Sequence, residues 1–327
     1  MISTVRRYWI QLALVGVAIV WGGTFVMVKE AVESYPLYSF LGLRFAIAVV
    51  AFVAIFPRSI ARLTGRTLGV GLLAGAFLCA GYVFQTWGLQ DTTASKAAFI
   101  TGMFVVVTPV MQAVLLRYLP KPPTIAGALL AVAGLWLLSG GAEGGWNVGD
   151  TRVFLCAVAY SAHMIVLGSL GKRHDVFALT FVQLAVTAIF CLGAALTPWT
   201  EPFAMPSSSS VWFALAVTGI LASAVAFAVQ TYAQRYVPPA RTALILITEP
   251  AFGGIFGWIA GERLGISGLV GAALILAGMA ASELIGAYTE PGDKLVFEPA
   301  IEGPSVAVLE PHGDSVLLSE DPVAEQP

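Results

Sequence analysis

Apolar residues in this chain neither alternate as in a half-buried strand nor keep to one face of a helix. They form long blocks with short polar joints between them. Ten blocks stand out: roughly Trp9 to Val28, Leu37 to Phe56, Thr67 to Trp87, Ala94 to Leu116, Thr124 to Leu138, Thr151 to Leu170, Val176 to Leu196, Val211 to Tyr232, Pro239 to Ile259 and Leu264 to Ile285. A helix rises about 1.5 Å per residue, so about 20 residues cross about 30 Å of hydrocarbon. Nine blocks have that length; the fifth is short unless it continues through Ser139 and the glycines beyond. The pattern predicts an all-α polytopic membrane protein with ten transmembrane helices.

Composition agrees. Of 327 residues, 58% are hydrophobic and 11% are charged. Soluble domains carry roughly 25% charged residues, and less than half of that is present. This excludes a water-facing globular shell and leaves no length for a large extramembrane domain. Arg6 and Arg7 before the first block imitate a signal peptide, but the apolar stretch is long and lacks an A-x-A site, so a retained signal-anchor helix is expected. Cys79, Cys156 and Cys191 all fall inside apolar runs and offer no disulfide or metal framework.

The net charge of -2 hides two regions. From Tyr288 onward there are nine acidic residues, one lysine and six prolines, a composition that predicts a disordered tail. The body is cationic. With the N-terminus inside, Arg6, Arg7, Arg58, Arg62, Arg66, Arg117, Lys121, Lys172, Arg173, Arg235, Arg241 and Lys294 fall on the inner side, against Lys29, Lys96, Arg152 and Arg263 outside. Twelve against four predicts two cytoplasmic termini and gives the positive charge a membrane origin rather than a nucleic-acid one.

The chain also repeats itself. AIVWGGTFVMV, with Trp21, aligns with AVAYSAHMIVL, with Tyr160, at an offset of 139; Pro109 aligns with Pro250 at 141, and Gly134 with Gly278 at 144. A duplicated five-helix unit has an odd number of crossings, so its second copy must lie inverted. Inverted repeats with a midplane site are a transporter architecture. The expected division is an N-terminus 1–8, a first repeat 9–140, a second repeat 141–287 and a tail 288–327.

AIVWGGTFVMVKEAV, Pro36 with LGLRF, GYVFQTWGLQDTTASKAAFITGMFVVVTPV and PPARTALILITEPAFGGIFGWIAGERL together resemble the EamA-type repeats of the drug/metabolite transporter (DMT) superfamily, over roughly residues 10 to 285. The resemblance implies a central cavity, alternating access and export of small metabolites such as amino acids across the bacterial inner membrane. Its implied partners are a small-molecule substrate and the lipid bilayer, with no cofactor or metal. Substrate identity and oligomeric state do not follow from it.

Ionisable groups inside spans mark functional candidates, because burying them in a membrane is costly. Arg44, His163 and Glu249 fall at depths of about 12, 18 and 15 Å, in one layer. Arg44 either holds a substrate carboxylate or is neutralised by Glu249; Glu249 or His163 either titrates during transport or is structural. Trp21 and Tyr160 are deep and repeat-related, so they are expected to line the cavity. Gln85 and Gln183 offer amide contacts or simple interhelical hydrogen bonds. Trp87, Trp212, Tyr232 and Trp258 read as interfacial belt residues. Lys96 either snorkels to the surface or adds positive potential at the outer mouth.

Pro109 and Pro250 each remove a mid-helix donor and are expected to act as hinges or cavity walls. Gly127 and Gly134, and Gly271 and Gly278, stand two helical turns apart and mark close-packing faces. No P-loop, H-E-x-x-H or G-x-S-x-G occurs, and three separate helices carry the ionisable groups. An intramembrane transferase or hydrolase, or a non-transporting scaffold, is therefore the weaker reading.

Overall fold

The structure, a computed structural model, describes residues 4–92, 94–139, 146–259 and 265–288, and every regular element within them is helical. Helices begin where a side chain or a proline deals with the unpaired N–H groups of a first turn. Thr64 accepts from the amide of Thr67, Asp175 from those of Phe177 and Ala178, and Ser208 from that of Ser210. Pro122 and Pro239 occupy first-turn positions that need no N–H. Asn147 and Asp150 form a reciprocal capping box.

The elements are α1 (Thr4–Ser34), α2 (Leu37–Ile55), α3 (Gly65–Gly88), α4 (Ala94–Gly102), α5 (Phe104–Leu116), α6 (Pro122–Leu138), α7 (Val148–Ser169), α8 (Val176–Ala195), α9 (Ser209–Gly219), a π-helical segment Ile220–Val225, α10 (Ala226–Ala233), α11 (Pro239–Leu246), α12 (Glu249–Ile259) and α13 (Ile266–Tyr288). Six stretches are long and apolar enough to cross a membrane: Leu37–Ile55, Gly65–Gly88, Ala97–Leu116, Val148–Ser169, Val176–Ala195 and Ser209–Ala233. Shorter apolar helices lie at Tyr8–Thr24, Pro122–Leu138 and Ile266–Ser282. The chain is a multi-pass helical membrane protein.

Three expected spans are not continuous α-helices. The fourth breaks at Met103, whose amide bonds to Ile100 in a tighter turn. The eighth widens into the π segment between α9 and α10. The ninth breaks at Ile247 and Thr248, where the Thr248 amide bonds to Ile245 and Pro250 follows without an N–H. Pro250 therefore stands beside a break, whereas Pro109 lies inside the continuous α5, six residues past the break at Met103.

Alternate joints gather at opposite ends. At one end Arg62 pairs with Asp175 at 3.2 Å, Arg235 donates to the carbonyl of Lys172 at 3.2 Å, and Arg6 donates to Tyr232 and Tyr236. At the other, Arg152 pairs with Asp91 and lies over the Trp87 ring, Thr92 donates to Asp150 at 2.7 Å, and Tyr35 donates to the carbonyl of Ala204. Trp87 and Trp212 are exposed as expected of belt residues. Tyr232 instead serves the Arg6 contact, and the side chains of Trp258 and Lys96 lie outside the described residues.

Two apolar cores result. One joins α1, α5, α6, α11 and α13; the other joins α2, α3, α8 and α9. Trp21 and Tyr160 pack against both, so the boundary between the cores passes through them. The helices α6 and α13 run antiparallel with their backbones in contact. A Cβ placed on Gly127 would lie 2.6 Å from the carbonyl oxygen of Gly278, and one on Gly134 would lie 2.5 Å from that of Gly271.

Candidate functional site

Between the two cores lies a cavity of about 90 Å³. Trp21, Arg44, Gln85, Tyr160, His163 and Glu249, drawn from α1, α2, α3, α7 and α12, all line it. Tyr82, Thr101, Phe104, Phe227, Gln230 and Leu246 complete much of the wall.

Arg44 is buried, with 4% of its surface exposed. Its Nε donates to Ser223 Oγ at 3.0 Å, and one terminal nitrogen donates to the Tyr82 hydroxyl at 3.2 Å. The guanidinium carbon is 4.8 Å from the centre of the Tyr82 ring and 5.6 Å from that of Phe45. These contacts hold the planar fork and occupy two of its five N–H donors. Arg44 and Glu249 share the cavity and lie near enough for their charges to act on each other, but they make no direct ion pair: no carboxylate oxygen of Glu249 approaches Arg44 within 4.0 Å.

His163 Nε2 lies 2.7 Å from Gln183 Oε1, and Gln183 Nε2 donates to Thr231 at 2.9 Å. With the Gln183 amide in this orientation its oxygen accepts, and a neutral His163 carries its proton on Nε2. His163 is thus both a hydrogen-bonded core residue and part of the cavity wall. Gln183 stands behind it as its support and does not line the cavity. Gln85 donates to Thr101 at 3.4 Å and accepts from the Tyr160 hydroxyl at 3.5 Å. Two such long contacts leave its amide weakly held.

Glycines admit these side chains. A Cβ on Gly81 would fall 2.2 Å from the Tyr160 ring, so the ring lies against α3 only because that position is bare. A Cβ on Gly22 would meet the carbonyl oxygen of Glu249 at 2.6 Å, so α1 and α12 touch backbone to backbone where Glu249 enters the cavity. The π segment contributes in a different way. Widening a helix frees carbonyls from the regular ladder. The Ala222 carbonyl is turned out to accept from the Trp21 indole at 2.8 Å, and Ser223 is placed against Arg44.

Sequence reasoning missed Ser223 and Gln230. Gln230 carried the same signal as Gln85, an amide within an apolar block. Ser223 carried none, because a serine in a membrane helix normally bonds its own backbone. Among the described residues no three potential metal ligands gather. The site can offer hydrogen-bond donors, a fixed cation, acceptors and aromatic faces.

A cavity among membrane-spanning helices, with Arg44, His163 and Glu249 on its wall, fits one class: a multi-pass membrane transporter. The EamA-like transporter family model matches residues 8–140 and again 147–282. An uncharacterized transporter of Archaeoglobus fulgidus is 32% identical over 77% of this chain and 78% of its own. The uncharacterized transporter YoaV of Bacillus subtilis is 22% identical over 83% of this chain and 95% of its own. A solved crystal structure, 20% identical, shares the fold with a TM-score of 0.71 over 85% of this chain and 97% of that one. The chain belongs to the EamA-like transporter family.

Proposed function

We propose that this chain is a secondary transporter, working as an exporter, that moves small metabolites such as amino acids through the central cavity by alternating access. Its ten crossings form two inverted five-helix repeats, with both termini cytoplasmic in a bacterial inner membrane. The observation that carries the reading is Arg44, a guanidinium at membrane depth on the wall of a cavity, with no carboxylate among the described residues within ion-pair distance. A guanidinium at that depth without a carboxylate in direct contact is costly and suits a site where an anionic ligand supplies that contact.

Helix pairing supports the inverted arrangement. Exchanging the halves turns the packing of α3 on α7 into that of α9 and α10 on α1, and the packing of α5 on α7 into that of α12 on α1. The contact of Gly127 with Gly278 becomes that of Gly271 with Gly134, as a two-fold axis across two antiparallel helices requires. The gathering of alternate joints at opposite ends supports an even number of crossings. Prolines beside or beyond breaks in the fourth and ninth crossings, Pro109 and Pro250, are the hinges of this scheme. The functional division stays at 9–140 and 141–287, the acidic tail being dispensable for transport.

Glu249, the acidic side chain on the cavity, is the coupling group. The test uses proteoliposomes loaded with a mixed metabolite pool. Wild type should release molecules chemically unchanged, against their gradient when a pH difference is imposed. Arg44→Gln should reduce flux of carboxylate-bearing molecules at least tenfold more than that of neutral ones. Glu249→Gln should abolish pH-driven accumulation and leave exchange measurable. Accumulation by the Glu249→Gln variant under a pH difference would remove Glu249 from coupling, and chemical conversion of the pool would overturn the transporter reading itself.

A further inference from the structure

One amide on the cavity wall is fixed in orientation and left half unused. The Gln234 nitrogen donates to the Met164 carbonyl at 2.8 Å. A carbonyl can only accept, so the Gln234 amide cannot be turned over, and its oxygen faces Gln230. That oxygen in turn needs a donor, which the Gln230 nitrogen supplies at 3.2 Å. Turning Gln230 over would set two amide oxygens face to face. Its Oε1 therefore points the other way, with 2% of the residue exposed and no hydrogen-bond partner for that oxygen among the described residues. Buried acceptors are nearly always paired, and Gln230 lines the cavity.

We propose that Gln230 is a specificity-determining residue whose amide oxygen accepts an N–H of the substrate, so that the transporter selects molecules bearing an amine nitrogen. The inference rests on the cavity being the substrate site and supplies the part of the ligand that Arg44 does not recognise. A nitrogen suits the wall better than a hydroxyl. Gln230 Oε1 and the Glu249 carboxylate are both acceptors on the same cavity, and an ammonium brings three donors where a hydroxyl brings one. Recognition is then shared, with donors from Arg44 and Tyr82 and acceptors from Gln230 and Glu249.

The experiment is calorimetric titration of the full chain in detergent with matched pairs differing only in the amine: alanine and propionate, valine and 3-methylbutanoate, phenylalanine and 3-phenylpropanoate. In wild type at least one amine should bind about tenfold or more tightly than its partner, the scale expected when one buried hydrogen bond goes unmade. Gln230→Met, unbranched and of similar length, should bring that ratio within about threefold, whereas Gln230→Glu, which keeps an acceptor, should retain the preference. Thermal melts of each variant establish that it is folded; should Met prevent folding, Gln230→Leu takes its place. If no amine outbinds its partner, or if the Met variant keeps the wild-type ratio, the proposal is overturned and the oxygen is satisfied by water. Arg44→Gln separates this from the cavity reading, since it should weaken both members of every pair alike. Unchanged affinities there, beside a collapsed ratio in Gln230→Met, would remove Arg44 from binding and leave Gln230 in place.

Discussion

Gly134→Ala perturbs the contact between α6 and α13 by a single methyl group, and its sign can be worked from the geometry. The added carbon would sit 2.5 Å from the Gly271 carbonyl oxygen, where an ordinary contact begins at 3.4 Å, and also 2.9 Å from Ile275 Cγ1 and the Ile275 nitrogen. The shortfall is against backbone, which has no rotamer to change, so the helices must separate. Overpacking of this kind costs about 1–3 kcal/mol. Replacing glycine by alanine inside a helix returns about 0.5–1 kcal/mol through backbone entropy. The net expectation is destabilisation by up to about 2.5 kcal/mol, and by about 1–3 kcal/mol relative to a glycine-to-alanine change in open space. Gly69→Ala, on α3 with nothing within 4 Å of the new carbon, isolates the entropic part and should be neutral or stabilising.

Unfolding by titrated denaturing detergent, read by circular dichroism, measures both variants. A second comparison tests the reciprocity of the contact, because a Cβ on Gly271 would press on the Gly134 carbonyl oxygen at 2.4 Å. Separation forced by one substitution makes room for the other. Gly134→Ala with Gly271→Ala should therefore cost less than the two single costs together, by about 0.5 kcal/mol or more. If Gly134→Ala is as stable as Gly69→Ala, or if the double variant is fully additive, the backbone contact is not what joins these helices.

Two further expectations concern the ends of the bundle. Asp150 is fully buried, and its carboxylate accepts from the Asn147 amide at 2.9 Å and from Thr92 at 2.7 Å. Asp150→Ala should destabilise by about 2–3 kcal/mol in the same unfolding assay. A loss below about 0.5 kcal/mol, the lower end for a missing cap, would show that the capping box does not anchor α7. A cysteine introduced beside Arg62 should be shielded from an impermeant thiol reagent in intact cells while one beside Glu201 reacts, the native cysteines being buried; the opposite labelling would reverse the inside-positive assignment.

The blocks of apolar residues placed most helix bodies closely, because length against the bilayer and polar joints leave little choice. Four of the candidate site residues drew attention for a related reason, because arginine, histidine, glutamate and amides are rare in apolar blocks, and Trp21 and Tyr160 did so through depth and repeat relation; all six line one cavity. What could not be read was which of them touch. Depth along a helix constrains height but not azimuth, and Arg44 turns toward Tyr82 and Ser223 rather than to within ion-pair distance of Glu249. Gln183, alike in type to Gln85, ends behind His163 because the two differ in the direction they face, which an apolar run conceals.

The breaks in the helices and the polar cavity are aspects of one device. Thr101 and Phe104 flank the break at Met103, Leu246 and Glu249 flank the break at Ile247 and Thr248, and all four line the cavity. The π segment lies against it through Ser223, which holds Arg44, and through the Ala222 carbonyl, which holds Trp21. Backbone that leaves the α-helical pattern at membrane depth exposes polar groups that lipid cannot satisfy, so it survives only where protein or a wet cavity does. Proline announces one of these departures, at Pro250, because a missing N–H leaves a trace in the sequence. The break at Met103 and the widened turn at Ile220–Val225 contain no proline. The widened turn is instead held by its neighbours: the Trp21 indole takes a carbonyl that a regular helix would keep, and Arg44 takes a serine hydroxyl that would otherwise return to its own backbone. The π segment is thereby held by two side chains that also line the cavity, which ties the shape of this backbone to the site.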